Sequence, residues 1–151
     1  MQEFLALPSA SVFAICCTVL CFEMVPVGIA TALTRQRMNV WLNEEDAQRF
    51  AGTLADLEQR RVARLLRLHR NQLENFVPFF ALGCLSLATG SLGAWGTPLF
   101  AAFTAARTLH AVFYLAKAGR LRTASFTLGV VVLLTLGLGV VWRIASYQAV
   151  P

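Results

Sequence analysis

The stretch RLHRNQLENFVPFFALGCLSL, residues 67–87, changes character part-way along. Its first third sets Arg67, Arg70, Asn71 and Glu74 at i, i+3, i+4 and i+7, the spacing that lines side chains along one face of an α-helix. From Asn75 onward it carries no charge. A helix that leads a polar stripe into such a run reads as one entering a membrane, with Asn71 and Glu74 at or below the boundary and facing inward. Pro78 lacks the N–H for an i−4 bond and predicts a kink there.

The remainder of the chain agrees with a membrane setting. Of its 151 residues 57% are hydrophobic and 14% charged, and the mean hydropathy of +0.61 lies outside the soluble range. A bilayer core about 30 Å thick takes roughly 20 apolar residues per helix. Four spans of that kind are expected, at about 12–33, 74–92, 95–116 and 123–144. The first is preceded by Glu3 rather than by basic residues and exceeds the roughly 7–15 residues of a signal-peptide core, so it is expected to stay in the mature protein. These spans predict one domain over residues 1–151, an all-α, up-down bundle of four transmembrane helices.

The formal charge of +5 does not point to nucleic acid, because the basic residues sit between apolar runs without an aromatic–basic recognition module. Arg35, Arg37, Arg49, Arg60, Arg61, Arg64, Arg67 and Arg70 fall in the link after the first span, and Lys117, Arg120 and Arg122 in the link before the last. The turn GSLGAWGTP, residues 90–98, has no charge. By the positive-inside rule the two basic links are cytoplasmic and both termini are outside. From about residue 55 the first link is expected to become helical and run into the second span. Cys16, Cys17, Cys21 and Cys84 all lie in apolar stretches, with no spacing suited to a metal site or a disulfide framework. They are expected to pack between helices.

A second polar stripe, Arg107, His110 and Tyr114, repeats the helical spacing inside FTAARTLHAVFYLAK, residues 103–117. A charge at bilayer depth costs on the order of 2.5–3.5 kcal/mol on the lenient scale. A structural pair of Arg107 with Glu74 would need two groups only; the surplus of polar groups on the cytoplasmic half favours a pocket for a polar ligand. Arg122 and Thr123 stand where the last helix is expected to begin, with Thr123 as its N-cap. The backbone amides there add positive potential and make an anion site. A thiol held beside them would ionise below its usual pKa of about 8.5, and because the chain's cysteines lie elsewhere, a ligand would have to bring that thiol.

RLHRNQLENFVPF, residues 67–79, and RTLHAVFYLAK, residues 107–117, together resemble the MAPEG family of membrane-associated proteins in eicosanoid and glutathione metabolism. The likeness spans nearly the whole chain, and NEEDAQRF, residues 43–50, with the R-x-R of Arg35 and Arg37 is closest to the family's prostaglandin E synthase branch. The resemblance implies that glutathione is the thiol carrier, that Arg70, Asn71 and Glu74 hold its backbone, and that Arg35 meets one of its carboxylates. Arg67, Arg107, His110 and Tyr114 would complete the binding set, and Arg122 with Thr123 would be catalytic. It also implies a homotrimer with glutathione between neighbouring subunits. Three positions depart from the prostaglandin branch: a one-residue gap precedes Arg122-Thr123, Glu23 stands for a basic residue, and Phe126 for a tyrosine.

The function expected is that of a multi-pass membrane transferase or peroxidase, with its active site on the cytoplasmic side of a bacterial inner membrane or the endoplasmic reticulum. Its partners would be glutathione, membrane lipids and a lipophilic small-molecule substrate. An endoperoxide isomerase and a non-catalytic lipid-binding scaffold are the alternative readings, and no metal is expected.

Overall fold

The computed structural model describes residues 9–149; Glu3 lies outside them. Among the described residues five α-helices predominate: α1 (Ala10–Met38), α2 (Glu44–Arg49), α3 (Arg60–Thr89), α4 (Gly96–Leu115) and α5 (Gly119–Gln148). A 3₁₀ turn at Gly93–Trp95 leads into α4, and two short strands, β1 (Val40–Trp41) and β2 (Thr53–Leu54), flank α2. Among the described residues two helices, α1 and α5, are long and apolar enough to cross a membrane by length and composition. The apolar part of α3 follows its basic first half, and α4 carries Arg107 and His110 within its 20 residues. The chain divides into two compact units, one of residues 1–21 with 74–151 and one of residues 22–73.

In the first unit the core is aromatic. The Phe13 ring lies 4.9 Å from Phe100 and 5.6 Å from Phe79, and Phe79 stacks on Phe103 at 4.1 Å. Phe79, Phe100 and Phe103 are fully buried, as are Leu20 and Leu136. Gly83 admits the Phe13 ring: a Cβ at this position would come within 2.1 Å of it. α3 runs through Pro78 without breaking and ends on Gly90, whose φ is +63°. There Gly90 N–H bonds Leu87 O and Ser91 N–H bonds Ser86 O, the paired bonds of a Schellman cap on a left-handed residue.

The link from α4 to α5 corrects the expected helix start. Lys117 takes φ +62°, its N–H bonds Tyr114 O, and Ala118 N–H bonds Phe113 O. The same capping motif thus reverses the chain within three residues. Nothing in Gly119-Arg120-Leu121-Arg122 opposes helix, so α5 begins at Gly119, after an N-cap at Ala118 that makes no side-chain capping bond. Thr123 is therefore inside the helix, and its hydroxyl donates to Gly119 O at 3.1 Å.

The second unit corrects the reading of the first basic link as a polar stretch turning helical at residue 55. α3 begins at Arg60. Before it, β1 and β2 pair in parallel, Val40 with Thr53 and Trp41 with Leu54. Trp41 stacks on Phe50 at 4.6 Å and its indole N–H donates to Asn39 Oδ1 at 3.2 Å. Strands of two residues are too short to leave an alternating pattern. The cysteines also divide: Cys16 is buried and Cys17 half-buried, but Cys21 and Cys84 are exposed, against the expectation that all four pack between helices.

Gly83→Val should destabilise the protein by about 1–3 kcal/mol, the usual cost of overpacking, because Phe13 is held by Phe79 and Phe100 and has nowhere to move. Thermal unfolding in detergent measures it. Gly28→Ala, at a site with nothing within 4 Å of the added carbon, is the control and should leave the midpoint within the range of a neutral surface change.

Candidate functional site

The stripe on α3 forms as its spacing dictates. Arg67, Arg70, Asn71 and Glu74 occupy one face of one uninterrupted helix, with Asn71 half-buried and the other three exposed. Gln72, one position round the helix from Asn71, is fully buried, and its amide donates to Glu23 Oε1 of α1 at 3.0 Å. A carboxylate midway along an apolar helix needs such a donor, since an unsolvated charge is far costlier than a hydrogen-bonded one.

The polar residues of α4 meet the start of α5. Arg107 and His110 are buried, with 1% and 5% of their surface exposed. His110 Nδ1 lies 3.1 Å from Arg122 O; a carbonyl only accepts, so Nδ1 carries the proton and donates. Ser125 Oγ donates within α5, 3.0 Å from Arg122 O and 2.9 Å from Leu121 O. The Arg122 guanidinium lies over the Tyr114 ring at 5.5 Å, and that of Arg107 over Phe126 at 5.6 Å. Phe126 also stands 5.8 Å from the His110 ring. Gly129 makes room: a Cβ there would come 3.1 Å from Arg107 Cδ.

Arg107 and His110 thus meet at Phe126, and His110 and Arg122 meet at Tyr114, with the Arg122 guanidinium exposed and that of Arg107 buried. A cation over an aromatic face is held at roughly 0.5–2 kcal/mol. It keeps its N–H donors, which suits it to an anion. Thr123 is exposed beside Arg122, but its single hydroxyl proton is engaged by Gly119 O. Arg35, half-buried on α1, forms an ion pair with Glu58, a partner the sequence reading did not include.

Comparison with known proteins places the chain in a family. The MAPEG family model matches residues 13–142. The chain belongs to the MAPEG family. Prostaglandin E synthase of Homo sapiens is 32% identical over 143 residues, covering 93% of each chain. That of Rattus norvegicus is 31% identical over 150 residues, covering 97% of this chain and 95% of its own. Microsomal glutathione S-transferase 1 of Homo sapiens is 35% identical over 107 residues, 68% of this chain and 69% of its own. MAPEG proteins are membrane-bound and helical, and the long apolar helices α1 and α5 fit that class.

Sequence reasoning missed Phe126 as the ring facing both Arg107 and His110, and it missed the Glu23–Gln72 and Arg35–Glu58 pairs. Only the first pair left a signal: a carboxylate inside an apolar span demands a partner, and Gln72 adjoins the stripe that was already singled out.

His110→Ala should lower the unfolding midpoint by an amount equal to about 1–3 kcal/mol, because the Arg122 carbonyl loses a buried donor. His110→Asn, which can keep a donor near the position of Nδ1, should recover part of that loss. Equal midpoints for wild type and His110→Ala would remove His110 as the tie between α4 and α5.

Proposed function

We propose that this MAPEG protein is a glutathione-dependent membrane transferase or peroxidase that ionises the glutathione thiol beside Arg122. The observation that carries the reading is the convergence of Arg122, Tyr114 and His110, with the Arg122 side chain over one ring and its carbonyl bonded to the other. Relatives named for glutathione transfer and prostaglandin E synthesis support this general class.

Glutathione offers two carboxylates, an ammonium and a thiol. In this reading Arg35, Arg67, Arg70 and Asn71 take the carboxylates and backbone, Glu74 takes the ammonium, and Arg107, His110 and Tyr114 shape the thiol end. The Arg122 guanidinium and the first-turn amides of α5 stabilise the thiolate. Arg35 exchanges Glu58 for a ligand carboxylate, and the Thr123 hydroxyl turns from Gly119 O toward sulfur. The thiolate then forms a C–S bond at a lipophilic electrophile, displacing its leaving group, or attacks the terminal oxygen of a hydroperoxide, forming an S–O bond as the O–O bond breaks and the alcohol leaves, after which a second glutathione displaces water to give the disulfide. The substrate reaches it from the bilayer, which concentrates it.

The proposal includes four spans, at about 12–33, 74–92, 95–116 and 123–144, in an up-down bundle that assembles as a homotrimer with its basic links cytoplasmic. A second reading, an endoperoxide isomerase of the prostaglandin E synthase type, is favoured by 32% identity across nearly the full length and by NEEDAQRF at residues 43–50. Turnover of a prostaglandin endoperoxide far above that of generic electrophiles and hydroperoxides would favour it.

Arg122→Ala should cut kcat by roughly tenfold to hundredfold while changing glutathione Kd much less, because its interaction grows as sulfur gains charge. Loss of affinity at unchanged kcat would remove its catalytic role. Glu74→Ala should weaken glutathione binding about tenfold, the share of one charge-assisted bond, with calorimetry as the measurement; unchanged affinity would make Glu74 dispensable.

A further inference from the structure

At the opposite end of the first unit from Arg122, the structure gathers a second set of polar groups. Arg143 of α5 donates from Nε to Thr89 O, the last residue of α3, at 3.2 Å. The turn after α3 packs against the same part of α5, where a Cβ on Gly139 would meet Leu92 at 3.4 Å and Ser91 at 3.9 Å. Beside this contact lies a cavity of about 330 Å³ lined by Thr89, Arg143, Ile144, Tyr147 and Gln148. Tyr147 follows Arg143 by four residues, so the two side chains share one face of the helix.

Among the described residues Arg143 is isolated in charge. Among the described residues none at 75–106, at 123–142 or at 144–149 is charged, and no carboxylate pairs with Arg143. Amphipathic aromatics stand in the same helix turn and in the turn after α3: Trp142, Tyr147 and Trp95 are 77%, 83% and 72% exposed. Exposed Trp and Tyr at the end of an apolar helix are the pattern of a membrane–water interface, and a long basic side chain at that depth reaches for the headgroup layer. A guanidinium that spends one N–H on a carbonyl still has four in its planar fork, the geometry that matches a phosphate.

The geometry points to a phosphate-binding site for a lipid headgroup, formed by Arg143, Tyr147 and Thr89 at the turn between α3 and α4. The phosphate accepts from the Arg143 terminal N–H groups and the Tyr147 hydroxyl, and the acyl chains lie along the apolar surface beside Ile144. This site holds lipid rather than substrate and stands apart from the groups around Arg122, so it does not depend on the proposed chemistry.

Native mass spectrometry of the delipidated protein in detergent tests it, with phosphatidylglycerol as probe and diacylglycerol and inorganic phosphate as comparisons. Phosphatidylglycerol should form its first adduct at about tenfold lower concentration with wild type than with Arg143→Gln, the loss expected for one charge-assisted bond. Diacylglycerol, which lacks the phosphate, should bind wild type no better than phosphatidylglycerol binds the variant. Arg143→Lys keeps the charge but not the bond to Thr89 O, so it should retain the adduct while its unfolding midpoint falls. Equal phosphatidylglycerol binding by wild type and Arg143→Gln would overturn the site, as would diacylglycerol binding wild type as well as phosphatidylglycerol does. Displacement of phosphatidylglycerol by equimolar inorganic phosphate would overturn the lipid assignment in favour of a free-phosphate site. If Arg143→Gln does not fold, the comparison of the two lipids on wild type decides alone.

Discussion

An arginine and a histidine buried one turn apart within α4 constrain everything around them. Arg107 and His110 expose 1% and 5% of their surface, and neither can be left unsolvated without a penalty of several kcal/mol. α5 answers both. Its Gly129 leaves space for the Arg107 stem, its Phe126 ring faces both side chains, and the Arg122 carbonyl accepts from His110. The last of these contacts fixes where α5 stands at its first turn, and with it the Arg122 guanidinium. The Arg122 guanidinium is thus positioned through the same backbone carbonyl that satisfies the buried His110.

That arrangement explains why polarity in this chain is confined to particular heights. Phe13, Phe79, Phe100 and Phe103 form an aromatic core, and Gly83 leaves room for the Phe13 ring within it. On one side of that core lie Arg107, His110, Tyr114 and Arg122. On the other, Arg143 caps the last carbonyl of α3 and the exposed tryptophans gather. The chain closes both helix turns of this unit with the same capping motif, on Gly90 at one end and on Lys117 at the other. Lys117 takes a left-handed conformation without being glycine, a strain of roughly 1–2 kcal/mol that the two backbone bonds of the cap offset.

Much of this was legible in the sequence, for reasons that differ from element to element. Helix periodicity revealed both polar stripes because their spacing is local, and apolar length revealed α1 and α5. Family membership followed from the two stripes and the intervening turn. The start of α5 was not legible, because a polar run such as Gly119-Arg120-Leu121-Arg122 looks like a loop although each residue accepts helix. The parallel pair around α2 left no pattern, since each strand is two residues long. The pairings Arg35–Glu58 and Glu23–Gln72 join residues far apart in the chain, and one sequence carries no record of such proximity. Thr123 shows the limit most plainly: it was expected as an N-cap, but the helix starts earlier, and its hydroxyl proton points to Gly119 O.

The most direct test of the central claim is the ultraviolet difference spectrum of thiolate on adding glutathione to the detergent-purified protein, with Arg122→Ala beside it. A thiolate band is expected at neutral pH in the wild type, where free glutathione is mainly thiol, with its loss in the variant while glutathione still binds. Bound glutathione without a thiolate band, or an undiminished band in Arg122→Ala, would contradict it.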